Sequence, residues 1–492
     1  MISSAGLQSV WRSDQVSHAL LIDFGSTYTK LRVVDLDAAK IVGTAQGRST
    51  VLTDVNVGLD AALADLEQTM GGLPDFAYRL ASSSAAGGLR MVTVGLVPDL
   101  TAKAARLAAL GAGAKLVGTY AFELTKSDIS TITTDAPDML LLCGGTDGGN
   151  TKVIEHNAGV LARSGVVCPI VVAGNRSAVD GAAATLVAAG KMVIVTENVM
   201  PKHLELNIEP AREAIRQLFI KHIVHAKGID RASERMDAVL MPTPAAVLKG
   251  AQLLADGVGG EPGLGPLLVI DIGGATTDVH SICDGAATQD GVIYHGLPEP
   301  YGKRTVEGDL GMRLSARHLI NEAGIDLIAA ESGLAKEALE RLLTRTETDV
   351  EWLPEEEAER AFDLALARAA TRLSVIRHAG TVETVYGATG PVTMQHGKDL
   401  AEIGLIIGTG GVLVHAKDPA AVLGAASTGD DAPFALRPHD ARLALDAGYG
   451  LYASGLLAGL LPDVALRLVK NGLRKLGGTI SRGDDHGATA AH

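Results

Sequence analysis

Aromatic residues are scarce in this chain, which holds only eight Tyr, six Phe and two Trp among 492 residues. Hydrophobic residues nevertheless reach 47% and charged residues 20%, a composition that excludes an intrinsically disordered chain. Because there are also 58 glycines, the core is expected to consist of Ala, Val and Leu layers joined by many tight turns. The length predicts two or three domains and excludes a single small fold.

An excess of positive charge is also absent, because 43 Lys and Arg face 57 Asp and Glu, giving a net charge of −14. A chain this acidic lacks a general electrostatic attraction for a phosphate backbone, so nucleic acid is not expected as a partner. The cations gathered at residues 467–482 are typical of a solvated final helix, and we assign them no role.

Cysteines are few: Cys143, Cys168 and Cys283 form no CxxC pair, which excludes a disulfide framework and a zinc knuckle. No stretch approaches 18 uninterrupted apolar residues, and the N-terminus lacks a basic stretch followed by an apolar core. We therefore expect a protein of the reducing cytoplasm that does not enter a membrane.

One pattern occurs twice: an apolar strand ending in aspartate, a turn rich in glycine and hydroxyl residues, and a second strand. It appears in HALLIDFGSTYTKLRVV (18–34) and in LLVIDIGGATTDVHSI (267–282), and the aspartates of the two copies, Asp23 and Asp271, are 248 residues apart. The first copy predicts a β-hairpin followed by a third strand near Ile41. A related glycine turn, IIGTGGV (406–412), lies inside a buried-strand signal at 402–414. The protein is therefore expected to consist of two similar halves.

The segments between these motifs predict the remaining organisation. Between about 98 and 200, helical stretches alternate with short apolar runs, which predicts an inserted α/β region with a parallel sheet. Residues 254–265 concentrate turn residues and predict a domain boundary. The predicted organisation is a first lobe at 15–258 with its insert at 98–200, a second lobe at 266–436, C-terminal helices closing the core at 437–475, and a flexible tail at 476–492.

Each copy of the repeated pattern suits an anion and a metal ion. The turn presents backbone N–H groups and hydroxyls, and its glycines let the backbone approach phosphate closely. The aspartate before the turn can hold a hydrated Mg²⁺. A single copy is equally typical of an ordinary hairpin turn, whereas two facing copies can clamp the β- and γ-phosphates of a nucleotide. The third glycine turn would provide a surface for adenine or ribose.

Three motifs carry a resemblance to a known superfamily. DFGSTYTK (23–30), DIGGATTDVH (271–280) and IIGTGGVL (406–413) resemble the phosphate 1, phosphate 2 and adenosine motifs of the actin, sugar kinase and DnaK-type ATPases. The resemblance implies an α/β fold of two ribonuclease-H-like lobes, the actin-like ATPase fold, with ATP and Mg²⁺ in a cleft between them and an inserted α/β region in the first lobe.

A narrower resemblance rests on four longer strings. They resemble the MutL/GlmL-type accessory proteins of coenzyme-B12-dependent glutamate mutase, and they are LLCGGTDGGNT (141–151), ENVMP (197–201), LNIEPAREAI (206–215) and KRTVEGDLGMR (303–313). This narrower resemblance covers about residues 18–475, and it implies that subunits of an adenosylcobalamin-dependent mutase are the partners of the chain. A homodimer is left open.

The superfamily resemblance also implies a role for each matching residue. Asp23 and Asp271 would orient Mg²⁺ through water, and Asp271 would in addition orient the attacking water. The residues expected to contact the nucleotide are Gly25, Ser26, Thr27, Thr29, Lys30, Gly273, Gly274, Thr276, Thr277, Gly408, Thr409, Gly410 and Gly411. Lys30 is at least equally typical of a solvated strand residue. Ala275 stands where many relatives carry a third glycine.

The resulting hypothesis is an ATP-hydrolysing, chaperone-like reactivating factor for an adenosylcobalamin-dependent mutase, with slow turnover. A small-molecule kinase of the same superfamily is the alternative, although the sequence identifies no catalytic aspartate for a hydroxyl acceptor. An ATPase that activates radical dehydratases would need cysteines for an iron–sulfur cluster, and the three scattered cysteines argue against it. An actin-like scaffold is a further alternative, because nucleotide binding does not require useful turnover.

Three other features have two interpretations each. The turn at 144–150 suits either an anion where a helix begins near Thr151 or a tight strand-to-helix packing turn. Residues 307–309 suit either contact with a substrate or partner or a capped helix start. His222 and His225 share a helix face, but the sequence offers no third metal ligand beside them.

Overall fold

The computed structural model describes residues 17–25, 28–50, 54–84, 88–220, 236–387 and 390–480. The chain divides into two compact units. Of the described residues, unit 1 comprises those from 17 to 202, 207 to 253 and 450 to 472, and unit 2 comprises those from 203 to 206, 254 to 449 and 473 to 480. Ser26, Thr27, His222 and His225 lie outside the described residues.

Unit 1 is built on a five-stranded sheet with the order β10-β4-β1-β2-β3. Its strands are β1 (His18–Phe24), β2 (Tyr28–Asp35), β3 (Lys40–Arg48), β4 (Phe76–Ser83) and β10 (Ala238–Pro242). The first three strands form an antiparallel meander, whereas β4 runs parallel to β1 and β10 parallel to β4. The predicted hairpin and third strand are therefore confirmed. The helices of this part are α1 (Val55–Met70), α7 (Thr243–Asp256), α14 (Gly450–Leu457) and α15 (Pro462–Gly472).

The connection from β4 to β10 contains a second, entirely parallel sheet with the order β6-β5-β7-β8-β9. Its strands are β5 (Leu89–Val94), β6 (Ala114–Tyr120), β7 (Met139–Leu142), β8 (Ile170–Val172) and β9 (Val193–Val195). A π-helical turn (Pro98–Ala102) precedes α2 (Lys103–Gly111), and the further helices are α3 (Lys126–Asp135), α4 (Lys152–Ala162), α5 (Val179–Ala188) and α6 (Glu209–Leu218). The predicted parallel sheet is confirmed, and it begins earlier than predicted, at Leu89.

Unit 2 repeats the sheet order of unit 1. Its six-stranded sheet has the order β16-β14-β13-β19-β20-β21. The strands are β13 (Leu267–Ile272), β14 (Thr277–Ile282), β16 (Gly302–Glu307), β19 (Leu405–Thr409), β20 (Ala441–Asp446) and β21 (Leu473–Ile480). Again the first three form an antiparallel meander and the next two are parallel to the first strand, and β21 is added antiparallel at the edge. The predicted pair of similar, ribonuclease-H-like lobes is confirmed.

The remaining elements of unit 2 are helices and two smaller sheets, β11-β12 and β15-β18-β17. The helices are α8 (Ala316–Ala323), α9 (Ile325–Ser332), α10 (Lys336–Thr348), α11 (Glu357–His378), α12 (Gly411–His415) and α13 (Pro419–Gly424). The shorter strands are β11 (Gly257–Val258), β12 (Glu261–Pro262), β15 (Ile293–His295), β17 (Thr381–Gly387) and β18 (Gly390–His396). Helix α11 begins with a capping box of Glu356 and Glu359, and its Phe362 and Leu366 enter the buried core with Ile270 of β13.

Three details of the sequence interpretation were wrong. Residues 437–475 were predicted as helices, but β20 precedes α14, and β21 begins directly after α15. Ala and Leu dominate ARLALD, and they favour helix, yet pairing with β19 makes this segment a strand. The strand β21 also includes residues 476–480, which were predicted to belong to a flexible tail. Finally, the strand signal at 402–414 ends at Thr409, and α12 follows.

Candidate nucleotide site

Asp23 lies at the end of β1 with a buried carboxylate that two hydroxyl groups contact. Thr243, the first residue of α7, donates from Oγ1 to Asp23 Oδ1 at 2.6 Å, and Ser82 on β4 approaches the same oxygen at 3.4 Å. Burial raises the pKa of the Asp23 carboxyl above its ordinary value, and Lys30 is the main group that opposes this increase. The carboxylate is therefore oriented by neighbours that arrive from distant parts of the chain.

The turn after Asp23 requires glycine at position 25. The Gly25 amide donates to Asp23 O at 3.1 Å and to Tyr28 O at 3.0 Å, and its carbonyl accepts from Ser49 Oγ at 2.8 Å. A Cβ at Gly25 would lie 2.6 Å from Tyr28 O, closer than real Cβ atoms come to other heavy atoms. This tight turn leads toward Ser26 and Thr27, the two predicted phosphate ligands that lie outside the described residues.

The register of β1 and β2 separates two of the predicted ligands. Asp23 pairs with Lys30, and Phe24 pairs with Thr29. Directly paired residues of antiparallel strands share a face, and successive residues alternate between faces. Lys30 therefore lies on the face of Asp23, whereas Thr29, which is buried, lies on the opposite face. The structure brings Lys30, but not Thr29, to the aspartate.

In unit 2, the glycine loop at 273–277 is fixed by the segment 307–315. Three consecutive carbonyl oxygens of the loop accept hydrogen bonds from this segment. The bonds are Met312 N to Gly273 O (3.1 Å), Arg313 N to Gly274 O (2.8 Å), Leu314 N to Gly274 O (2.9 Å) and Ser315 Oγ to Ala275 O (3.1 Å). The carbonyl side of the loop is therefore fully engaged.

The amide side of the same loop faces the other way. The described peptide bonds are all trans, and in a planar trans peptide the N–H points opposite to the C=O of the preceding residue. The N–H groups of Gly274, Ala275 and Thr276 consequently point away from the segment 307–315, and Gly274 and Ala275 are exposed. Successive amides that point into open space form a concavity suited to an anion.

The two threonines of this loop have different surroundings. Thr277 is buried, and its Oγ1 donates to Leu310 O at 2.7 Å, so its hydroxyl faces the segment 307–315. Thr276 is partly exposed, and its Oγ1 lies 3.4 Å from Asp278 Oδ2. The Thr276 side chain therefore lies on the amide side of the loop, whereas the Thr277 hydroxyl fixes the loop to the segment 307–315.

Asp271 ends β13 beside two other parts of the sheet. It pairs with Asp278 on β14 and with Thr409 on β19. Gly410 has a φ of +87°, and a Cβ at this position would overlap Asp271 Oδ1, so the third glycine turn passes directly over the carboxylate. Asp278 accepts a hydrogen bond from Arg304 Nε at 2.8 Å. The sequence interpretation did not include Asp278, which lies on the same face as Asp271 because the two residues are directly paired.

The other predicted residues of the third turn divide into two groups. Gly408 is buried, and a Cβ there would lie 3.1 Å from Leu413 and Leu423, so this glycine serves packing. Thr409 is also buried, whereas Gly411 is exposed at the start of α12 with open space around it. Thr409 and Gly410 are therefore the residues of this turn that lie beside Asp271, and Gly411 borders open space.

The structure shows the surroundings of two segments that have two interpretations each. In the turn at 144–150, the buried Asn175 accepts from Gly148 N at 3.0 Å and donates to Gly149 O at 3.1 Å. Residues 307–309 do not begin a helix, because α8 starts only at Ala316. Among the residues that the structure describes, no group of three His, Cys, Asp or Glu side chains is arranged to hold a metal ion by direct ligation.

The repeated sheets and the glycine loops at the ends of their first strands define the class: an α/β protein with two ribonuclease-H-like lobes, as in actin, sugar kinases and DnaK-type ATPases. The model of the MutL protein family matches residues 19–473, and the chain belongs to this family. Protein MutL of Clostridium tetanomorphum is 47% identical over 458 residues, which cover 93% of this chain and 99% of that protein. The resemblance inferred from the motifs is thus confirmed.

Solved structures with a similar fold are much more distant. Xylulose kinase from Lactobacillus acidophilus has 11% identity and a TM-score of 0.34, covering 95% of this chain and 94% of the kinase. The activator of 2-hydroxyisocaproyl-CoA dehydratase from Clostridium difficile, solved with bound ADPNP, has 10% identity and a TM-score of 0.28, covering 92% and 95%. Within the described ranges, no helix has the length and apolar character needed to cross a membrane.

Proposed function

We propose that this protein binds ATP with Mg²⁺ and hydrolyses it slowly, as a reactivating factor for an adenosylcobalamin-dependent mutase of the glutamate mutase type. The observation that carries the nucleotide part is the loop at 273–277, whose amides of residues 274–276 point away from its anchored carbonyls beside Asp271. An anion such as a nucleotide phosphate fits this arrangement because it needs several converging N–H donors and little side-chain bulk.

The proposed chemistry consists mainly of positioning. Carboxylates at Asp23 and Asp271 are hard oxygen donors that suit a hydrated Mg²⁺, which would neutralise the charge of the phosphates when bound. Asp271 orients the attacking water. Thr276 and the loop amides hold the phosphate in unit 2, and Lys30, on the face of Asp23, adds a positive charge in unit 1. No second base is assigned, which fits slow turnover.

The proposed client rests on the family. Membership of the MutL protein family and the resemblance of the strings at 141–151 and 303–313 to glutamate mutase accessory proteins support a role beside such a mutase. In this proposal ATP binding and hydrolysis alternate the protein between two conformational states, and this change releases a damaged cofactor from the mutase.

The decisive experiment compares ATP hydrolysis by the wild type and by Asp271→Ala, with and without an inactivated glutamate mutase. Asp326→Ala is the matched control, because Asp326 is an exposed carboxylate that pairs with Lys336 on the helices of unit 2. We expect Asp271→Ala to lose most of the ATPase activity and the control to keep it. Equal hydrolysis by wild type and Asp271→Ala would overturn the site assignment, and a mutase that stays inactive with ATP and Mg²⁺ would overturn the client.

The same assay separates the alternatives. A small-molecule kinase would transfer the phosphate to a metabolite instead of releasing it to water. An activator of radical dehydratases would need accessible cysteine ligands, and all three cysteines are buried. Burial raises the pKa of Cys168 to about 11, which disfavours the thiolate that metal binding requires. An actin-like scaffold would sediment with ATP in a concentration-dependent manner.

A further inference from the structure

Helix α11 contacts the segment 307–315 near the C-terminal end of the segment, where Asp363 of the helix pairs with Arg313. The guanidinium of Arg313 forms a two-pronged contact with Asp363 on α11, with Nη1–Oδ1 at 2.9 Å and Nη2–Oδ2 at 2.8 Å. Its Nε donates to the carbonyl of Trp352 at 3.3 Å, and its guanidinium lies 5.3 Å from the centre of the Trp352 ring. Both charged side chains are largely buried, so this contact is specific in geometry and weakly screened.

The other end of the segment is held by the last turn of the same helix. Arg377 donates from Nη1 to Glu307 Oε2 at 2.9 Å and to Asp309 Oδ1 at 2.8 Å. Its Nη2 also reaches Glu322 on α8 at 3.1 Å. Helix α11 therefore contacts the segment on both sides of Gly311, from positions fourteen residues apart on one rigid element.

Between the contacts of Arg377 and Arg313, the backbone of the segment packs directly against the glycine loop at 273–277. A Cβ at Gly311 would overlap the backbone of Ala275, so the two backbones are in direct contact at the centre of the loop. Ser315 Oγ also links Ala275 O and Gly308 O, at 3.1 and 2.9 Å. A displacement of the segment must consequently move the carbonyls of residues 273–275, and with them the opposed amides.

We propose that Arg313 and Arg377 are positioning residues for the nucleotide: through the segment 307–315 they fix the direction of the amides at 274–276. This inference rests on the proposed function, since it assigns the nucleotide to those amides. Neither arginine touches the nucleotide. Each one holds the carbonyl side of the loop, and loss of either anchor lets the amides reorient, which weakens ATP binding more than it slows the chemical step.

The test weakens each anchor by neutralising a carboxylate partner of its arginine. Asp363→Asn neutralises the partner of Arg313, Asp309→Asn neutralises one of the two partners of Arg377 on the segment, and the double variant combines them. Glu347→Gln is the matched control, because it breaks the exposed ion pair with Arg317 in the same unit without touching the segment. For each single variant we expect KM for ATP to rise about tenfold while kcat changes less than about twofold. The control should behave like the wild type in both constants.

A second measurement follows the local stability of the glycine loop directly and does not depend on activity. Amide hydrogen exchange of the peptide covering residues 271–280 should be faster in Asp363→Asn and Asp309→Asn than in the wild type or the control. Unchanged exchange and unchanged KM in both variants would overturn the positioning role. If the wild type bound no ATP, the proposed function would fail, whereas the exchange result would still decide whether these residues fix the loop. Asp309 is half-exposed, so Asp309→Asn keeps the test usable if Asp363→Asn does not fold.

Discussion

At the scale of single residues, Gly410 leaves no room for a side chain. Its Cβ would overlap Asp271 Oδ1, and its φ of +87° is strained for other residues. We expect Gly410→Ala to lower ATP hydrolysis at least about tenfold, which corresponds to about 1.4 kcal/mol of activation free energy. The free energy of unfolding should fall by about 1–2 kcal/mol from the backbone conformation.

The control for this prediction is Gly404→Ala. Gly404 precedes β19, and a Cβ there would have no heavy atom within 4 Å. Steady-state ATPase assays and denaturant unfolding measure both effects. If Gly404→Ala and Gly410→Ala lost activity equally, crowding of the Asp271 carboxylate would not be the cause.

A second prediction for a single residue concerns the hydroxyl group of Thr243. Because its hydroxyl donates to the buried Asp23 carboxylate at 2.6 Å, Thr243→Val leaves a buried charged acceptor with one donor fewer. We expect the free energy of unfolding to decrease by about 1–3 kcal/mol, measured by urea denaturation. Thr243→Ser, which retains the hydroxyl, should lose less than half as much, and equal losses would contradict the hydrogen-bond explanation.

Sequence reasoning identified the aspartates and glycines of the loops but not the residues that orient them. Asp23 and Asp271 are recognisable because strand, acid and turn are adjacent in the chain. Ser82 and Thr243 reach Asp23 only because β4 pairs with β1 and β10 pairs with β4, and this arrangement joins positions up to 220 residues apart. Local patterns cannot predict which hydroxyl such a long-range pairing delivers.

At the scale of elements, α11 carries a buried histidine that links it to the sheet. The ring of His378 contacts Ser281 Oγ on β14 and Thr305 Oγ1 on β16, each at 2.8 Å. Burial lowers the pKa of His378 well below 6.5, and Lys303 lowers it further. The histidine is therefore neutral in the folded protein at neutral pH.

Because His378 is buried and neutral, the folded protein is expected to lose stability at acidic pH. Below pH 6.5 the unfolded chain binds a proton at position 378 that the folded protein does not, so the stabilisation present above that pH is lost as the pH falls. As the pH falls from 7.5 to 5.5, we expect the free energy of unfolding to decrease less in His378→Gln than in the wild type. Below pH 6.5 the difference in slope should reach up to about 1.4 kcal/mol per pH unit. The exposed His156 provides the control His156→Gln, which should retain the wild-type slope in urea titrations at both pH values.

Element types were predictable where a period or a turn signal was strong. The first hairpin and the alternating strands and helices of the insert follow their patterns. The strand β20 did not, because its Ala and Leu residues favour helix, and only its place beside β19 makes it a strand. The glycines up to Gly411 are equally typical of a turn between strands and of a helix start, so the sequence did not predict that α12 begins at Gly411.

At the scale of the whole molecule, nucleotide binding should stabilise the folded protein. A ligand that binds only the folded state adds about 2.7 kcal/mol at a hundred times its Kd. We therefore expect ATP with Mg²⁺ to raise Tm of the wild type by a few degrees, measured by calorimetry or dye-based melting. Arg313→Lys, which loses the two-pronged contact with Asp363, should need a higher ATP concentration for the same increase. An unchanged Tm at saturating ATP would contradict nucleotide binding.

The insert occupies a particular place in the molecule: it is the crossover between β4 and β10, neighbouring parallel strands of one sheet. Parallel neighbours cannot be joined by a tight hairpin, because the chain must return to the starting end of the sheet. A connection that crosses back along the sheet is therefore compulsory here. It also packs against the elements that follow it, since a Cβ at Gly113 would lie 2.7 Å from Pro242 at the end of β10. A connection of different sequence would have to keep this contact, because Thr243, the next residue, holds the Asp23 carboxylate at the end of β1.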